Sequence, residues 1–266
     1  MNAQHEHQPD SRDHPVDHEA ARDRFIEHVQ ADAERFAAAV RHGPLDAPVA
    51  ACPGWDLRSL TSHMGQVHRW ARHSAANAAP PESFDAFAAD PNLDAEGLAQ
   101  WLEQGAADLV DVLRTLDLDG PTWHPFPVPR IGRVWPRRQA QEISIHRWDA
   151  EHAVGMSPAP IDPELASDGI DEYLHLVLPR LVKRDQIALP AGTLHVHCTD
   201  THGEWLLTTE PEFTVVRAHQ KGDAALRGPA EAIVLRLWNR ESPRAGELSP
   251  VGDESVLAAW LGLSGL

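Results

Sequence analysis

Trp135-Pro136-Arg137-Arg138-Gln139-Ala140-Gln141-Glu142-Ile143-Ser144-Ile145-His146-Arg147-Trp148-Asp149 is the stretch that decides how this chain is read. Pro136 suits the first turn of a helix, where its missing N–H costs nothing, and Gly155 supplies a stop. Along that helix Glu142 and His146 stand four apart, so their side chains lie one above the other and can close on a single cation. Asp149 and Ala153 continue the stripe. Spacing alone does not separate this reading from an ordinary pair on a helix surface, so the weight falls on what the rest of the chain can bring to the same face.

Three amphipathic helices precede it. Phe25, Val29, Ala33, Phe36 and Val40 mark one helix face, ended by Gly43-Pro44. Cys52-Pro53-Gly54-Trp55 forms a loop leading to Asp56, a helix N-cap, and then to a stripe of Leu60, His63, Val67 and Trp70. His63 is therefore expected to face inward, and His68 and His73, off that stripe, to lie on the surface. After a loop holding Pro80, Pro81 and Pro91, residues Leu98, Leu102, Leu109, Leu113 and Leu116 repeat at three and four until Asp119-Gly120-Pro121 breaks the pattern. The segment 123–129 is too rich in proline for a regular element and could wall a pocket. Four long amphipathic helices joined by loops predict a bundle whose inward polar residues build a site.

Downstream of Gly155 the pattern changes. Asp162-Pro163 opens a helix through Leu174, Val177 and Leu181; beyond Pro190 the alternation becomes that of β-strands, at 194–198, 205–209, 213–217 and 224–227. Helices over 229–238 and near 257–261 complete a small α+β unit. His195 and His197, two apart on a strand, could chelate, but no third ligand is spaced to join them, so they read as an exposed strand face. The predicted organisation is a polar, His-containing tail over residues 1–16 (His5, His7, His14), a mainly α bundle over 17–156 and a smaller α+β domain over 157–266.

The 266-residue chain is 42% hydrophobic and carries a formal net charge of −17, which repels nucleic-acid backbones and anionic membrane surfaces. Two cysteines, Cys52 and Cys198, make no disulfide framework, and no apolar run approaches spanning length or resembles a leader, so a cytoplasmic protein is expected. Lysine occurs only at 183 and 221, against many arginines and alanines, as in chains encoded by GC-rich bacterial DNA. The sequence holds no glycine-rich phosphate loop, dinucleotide fingerprint, serine elbow or paired CxxC. The one constellation with chemistry is His63 with Glu142 and His146, a mixed N/O set suited to a divalent metal with a coordination position left open.

Cys52-Pro53-Gly54-Trp55-Asp56-Leu57 running into His63-Met64-Gly65 resembles the opening motif of the mycothiol-dependent maleylpyruvate isomerase family, a group of DinB-like metal-binding bundles. The segment from Arg138 to Glu151 is similar to its second motif, Asp168-Gly169-Ile170-Asp171-Glu172 to its interdomain signature, and Leu226-Arg227-Gly228-Pro229-Ala230 with Leu237-Trp238-Asn239-Arg240 to its C-terminal domain. The resemblance implies that His63, Glu142 and His146 bind Zn2+ or another divalent metal. It also implies mycothiol as a low-molecular-weight thiol cofactor, whose zinc-bound thiolate adds to a small electrophilic substrate and either leaves after bond rotation, giving cis–trans isomerisation, or stays, giving thiol transfer. Arg240 matches the arginine ending the last motif, where it would contact an anionic ligand; a surface charge at a helix end is the competing reading. Neither cysteine is assigned a catalytic role. No Lys or Arg occurs between Arg72 and Arg114, where family isomerases are expected to offer an arginine to a doubly anionic substrate, and this argues against maleylpyruvate itself. Two other classes compete: a zinc hydrolase using metal-activated water, and a non-catalytic small-molecule-binding protein.

Overall fold

A computed structural model describes residues 17–263; the expected tail over 1–16 lies outside the described residues. Helix α1 (His18–His42) starts where the Asp17 carboxylate accepts the backbone N–H groups of Glu19 and Ala20, both at 3.1 Å. Helix α2 (Leu57–Asn77) is capped in the same way by Asp56, which accepts from the Ser59 N–H at 2.8 Å, and α3 (Ala95–Thr115) by Asp94 on Gly97. Such caps satisfy backbone donors that the first helical turn leaves unpaired. Helix α4 (Val134–Ala153) carries the motif. Both α1 and α2 pack against α3 and α4, so α2 and α4 present neighbouring faces inside a four-helix bundle. Gly65 allows α2 and α3 to approach closely: a Cβ there would fall 2.1 Å from the Trp101 ring.

The buried face of α2 is broader than its sequence stripe suggests. Leu57, Thr61, Met64, His68, Ala71 and Ala75 run down its deep side, while His63 and Trp70 sit half-buried on the shoulder. His68 is therefore no surface residue. It is fully buried, because α3 and α4 cover two sides of the helix, and its pKa falls to about 3 through burial and then the nearby Arg69 charge. His73 is half-buried.

Helix α4 is buried nearly all round despite carrying Arg138, Gln139, Gln141, Ser144, Arg147, Asp149 and Glu151. Several of these pair across the bundle. Arg147 donates to Asp32 of α1 at 3.0 Å and to Glu151 at 2.9 Å, and Arg35 closes on Glu151 at 2.9 Å.

In the C-terminal part, the helix predicted as one piece is α5 (Pro163–Glu172), a π-helical segment (Tyr173–Val177) and α6 (Leu178–Asp185). Pro179 explains the interruption: it cannot donate a backbone hydrogen bond and clashes with a regular preceding turn, which the wider π register relieves. Strands β1 (Leu194–Cys198), β2 (Glu204–Thr208), β3 (Thr214–Val216), β4 (Ala224–Gly228) and β5 (Ser249–Gly252) form one sheet in the order β3-β2-β1-β4-β5, with β1 and β4 parallel and the other pairs antiparallel. Leu194, Val196 and Cys198 point to the core, where α7 (Ala230–Leu237) and α8 (Glu254–Leu261) cover the sheet. The sequence pattern does not predict strand β5. It is a fully exposed edge containing Pro250, so it shows neither alternation nor an uninterrupted run. No helix among the described residues is long and apolar enough to cross a membrane.

Candidate metal centre

The bundle brings His63, Glu142 and His146 together, with one ligand atom of each lying within 4.8 Å of the others. Glu142 Oε1 is 3.4 Å from His63 Nε2 and 3.6 Å from His146 Nε2, and the two imidazoles meet edge to face with centroids 5.5 Å apart. The four-residue spacing on α4 stacks Glu142 under His146, and His63 on the shoulder of α2 meets them from across the groove. The trio is shielded but reachable: side-chain exposures are 28% for His63, 21% for Glu142 and 14% for His146.

Each α4 member is held from behind. The other carboxylate oxygen of Glu142 pairs with Arg138, whose guanidinium also pairs with the buried Glu172 of α5. Burial opposes ionisation of Glu142, but Arg138, then His146 and His63, hold its carboxyl well below the usual range, so it is an anion. His146 Nδ1 lies 3.0 Å from Asp149 Oδ2, and Asp149 in turn accepts from Arg240 Nε at 3.0 Å and Nη2 at 2.6 Å. With Nδ1–H donating to Asp149, loss of the Nε2 proton on metal binding would leave the Nε2 lone pair of His146 facing Glu142 and His63, the carboxylate–histidine arrangement that orients metal-ligating imidazoles.

Arg240 is thus not a surface charge. It is 8% exposed, buried against Asp149, and its Nη2 also lies 3.7 Å from Cys52 Sγ. Cys52, Asp149 and His146 form a second convergent group, which sequence reasoning missed because the Cys-Pro-Gly-Trp loop shows no ligand spacing. Burial and then the Asp149 charge push the Cys52 thiol up, against the opposing effect of Arg240, so it stays protonated near neutral pH and is a poor nucleophile or ligand. Cys198 is buried on β1 and pushed up to about 11 by burial.

Aromatic rings frame the open side. Trp55 and Phe84 lie 4.9 and 6.4 Å from the His63 ring, and Trp70 links Phe84 to Trp123 and Trp135. Arg180 of α6 stands over Phe126 in the proline-rich segment, 5.5 Å from the ring centre, and makes no ion pair among the described residues. Behind Asp149, a cleft of about 640 Å3 runs between the bundle and the C-terminal part, lined by Trp148, Asp149, His152, Asn239 and Arg240. Neither this cleft nor one of about 870 Å3 bounded by α1, α4 and α5 is lined by any of the three converging residues.

The donor set fits a divalent ion: two imidazole nitrogens and an anionic carboxylate, with the tautomer of one imidazole fixed from behind. Bundle and centre together define a helical-bundle protein with an inward imidazole–carboxylate trio. Residues 26–151 match the mycothiol maleylpyruvate isomerase N-terminal domain, and residues 164–259 match its companion C-terminal domain. The chain belongs to the mycothiol-dependent maleylpyruvate isomerase family. The crystal structure of the mycothiol-dependent maleylpyruvate isomerase is similar with a TM-score of 0.56, and that of a histidine-to-alanine mutant with 0.59; both share 12% identity with this chain and cover 86% of it and 92% of their own length. Comparison with curated proteins finds no match.

Proposed function

We propose that this chain is a cytoplasmic, mycothiol-dependent zinc isomerase or thiol transferase acting on a small electrophile, with His63, Glu142 and His146 holding the ion. The observation that carries the reading is the convergence of these three side chains, the two on α4 supported from behind by Arg138 and Asp149. A divalent ion there would supply the Lewis acidity that keeps a thiol cofactor as thiolate near neutral pH. Membership of the family supports mycothiol as that thiol.

The chain's own residues divide the remaining work. Arg138 fixes the free oxygen of Glu142, and Asp149 fixes the His146 ring with Arg240 behind it. Trp55 and Phe84 restrict water at the open side of His63. The protein thiols do not compete as nucleophiles, since burial raises both. The cleft of about 640 Å3 touches the trio only through Asp149, so a thiol reaching the ion would enter from the aromatic side, past Trp55 and Phe84. Arg180 supplies the cation for an acidic electrophile. Its pKa is lowered by burial, then by the charges of Arg184 and Arg138, while Glu142 opposes them; it has no carboxylate partner of its own among the described residues. This compensates for the absence of Lys or Arg between Arg72 and Arg114.

The test is spectroscopic and then chemical. Cobalt-substituted protein should change its visible spectrum when mycothiol is added, and turnover of an electrophilic alkene should require the thiol. Turnover of hydrolysable substrates without any thiol, and with no thiol-dependent spectral change, would establish the hydrolase instead.

A further inference from the structure

The sheet carries a second imidazole–carboxylate cluster, remote from the bundle trio in the sequence and built on different elements. His195 and His197 project from the same face of β1, and Glu204 stands directly opposite His197 on β2. Antiparallel pairing puts opposed residues on one face, so Glu204 supplies the third group that the sequence spacing could not show. Its Oε1 lies 2.8 Å from His195 Nε2 and 2.7 Å from His197 Nδ1. A fourth group arrives from the segment between β3 and β4: His219 Nδ1 is 2.7 Å from the same oxygen. The three rings surround it with centroids 5.8, 6.2 and 6.2 Å apart.

One carboxylate oxygen has two lone pairs, so three imidazole donors over-subscribe it while the rings still direct their nitrogens at a common point. The geometry points to a site for a divalent transition-metal ion of imidazole preference, of the zinc, nickel or copper type, held by His195, His197, Glu204 and His219. Such an ion binds nitrogen and oxygen at about 2.0–2.1 Å, which sets ligand atoms roughly 3.3 Å apart around a tetrahedron. His195, His197 and Glu204 already offer ligand atoms within 4.8 Å of one another, and His219 would close the shell by rotation of its exposed side chain.

The site's character is structural. His195 and His197 retain 12% and 23% of their side-chain exposure, His219 retains 85%, and four protein ligands fill a tetrahedral shell without an open position. An ion here ties the segment between β3 and β4 to the outer face of the sheet, whose opposite face is the buried one of Leu194 and Val196. Arg227, in register beside His197 on β4, adds one cationic neighbour and moderates the affinity.

Zinc titration of the metal-stripped full chain, followed by metal analysis after desalting, tests this. The variants are His146→Ala, the double change His195→Ala with His197→Ala, and the triple combination; far-UV dichroism checks that each folds, and the histidines of residues 1–16 are common to all. Wild type should retain one more equivalent than the double variant, and His146→Ala one more than the triple variant. Zinc should raise the melting temperature of His146→Ala by several degrees and leave the triple variant unmoved. Equal zinc content in His146→Ala and the triple variant would overturn the sheet site and identify its histidines as a hydrogen-bonded knot. Failure of the bundle centre reads differently, as equal zinc content in wild type and His146→Ala, and leaves the sheet comparison intact.

Discussion

Two clusters of the same chemistry, histidines around one glutamate, differ in what stands behind them. In the bundle, Glu142 leans on Arg138, His146 leans on Asp149, and Arg138 and Asp149 are themselves held by Glu172 and Arg240. On the sheet, Glu204 meets only its three imidazoles among the described residues, and one of those is largely exposed. Buried charges need partners on every side, and the partners fix the ligands while leaving the accessible side free for a reactant. A half-exposed cluster needs no such support and can close around an ion with all four ligands. On the proposed readings the bundle centre is the reactive cluster and the sheet cluster the structural one, and the variants below test that contrast.

Removing a ligand from each should separate the two most sharply. His146→Ala is expected to cut turnover about a thousandfold or more, the loss of several kcal/mol of Lewis-acid stabilisation. The double change at His195 and His197 should alter turnover less than about twofold, within the range of a surface substitution. Steady-state kinetics with mycothiol measures both, and similar losses in the two variants would erase the distinction.

The supporting charges come next. Arg138→Ala strands Glu142 and Glu172 without their shared cation and should cost about 3–5 kcal/mol of stability in urea unfolding, whereas Arg227→Ala beside the sheet cluster should change it by less than about 1 kcal/mol. Asp149→Asn and Arg240→Ala should each weaken zinc binding by about 10–100-fold, because each loosens the orientation of His146. A contact to an anionic ligand, the role the resemblance implies for Arg240, would instead leave zinc binding unchanged in Arg240→Ala. Competition with a chromophoric chelator distinguishes the two.

A pH series on metal-free protein sharpens the comparison further. Burial alone would lower the pKa of His146, but hydrogen bonds to Asp149 and Glu142 outweigh it and raise the value to about 9. A raised folded value means that the imidazolium stabilises the fold fully below the unfolded value of about 6.5. That contribution is lost as pH rises through about 9. Thermal unfolding between pH 6 and 10 should show the decline in metal-free wild type and a weaker one in His146→Ala; identical curves would remove His146 from the account.

The smallest effect is expected at the thiols. Cys52→Ser and Cys198→Ser should each leave turnover within about twofold, since burial keeps both sulfurs protonated. Abolished activity with zinc content and folding retained would move the chemistry onto a protein thiol.

The sequence by itself determined the local elements and the half of the bundle centre that lies on one helix. Helical periodicity, aspartate caps and the Glu142/His146 spacing act over a few residues, and the structure carries all of them. It also showed strands β1 to β4, whose alternation is local, but not β5, an exposed edge that has none. Tertiary structure decided the rest. That α2 lies between α3 and α4, and so buries His68 while leaving His63 on its shoulder, depends on the packing of three helices. The burial of Arg240 against Asp149, 91 residues away, and the approach of Glu204 and His219 to His195 and His197 depend on domain docking and strand register. Spacing along a chain reports which side chains share one helix or strand face; contacts between elements are set by how whole faces pack, and no short motif records that.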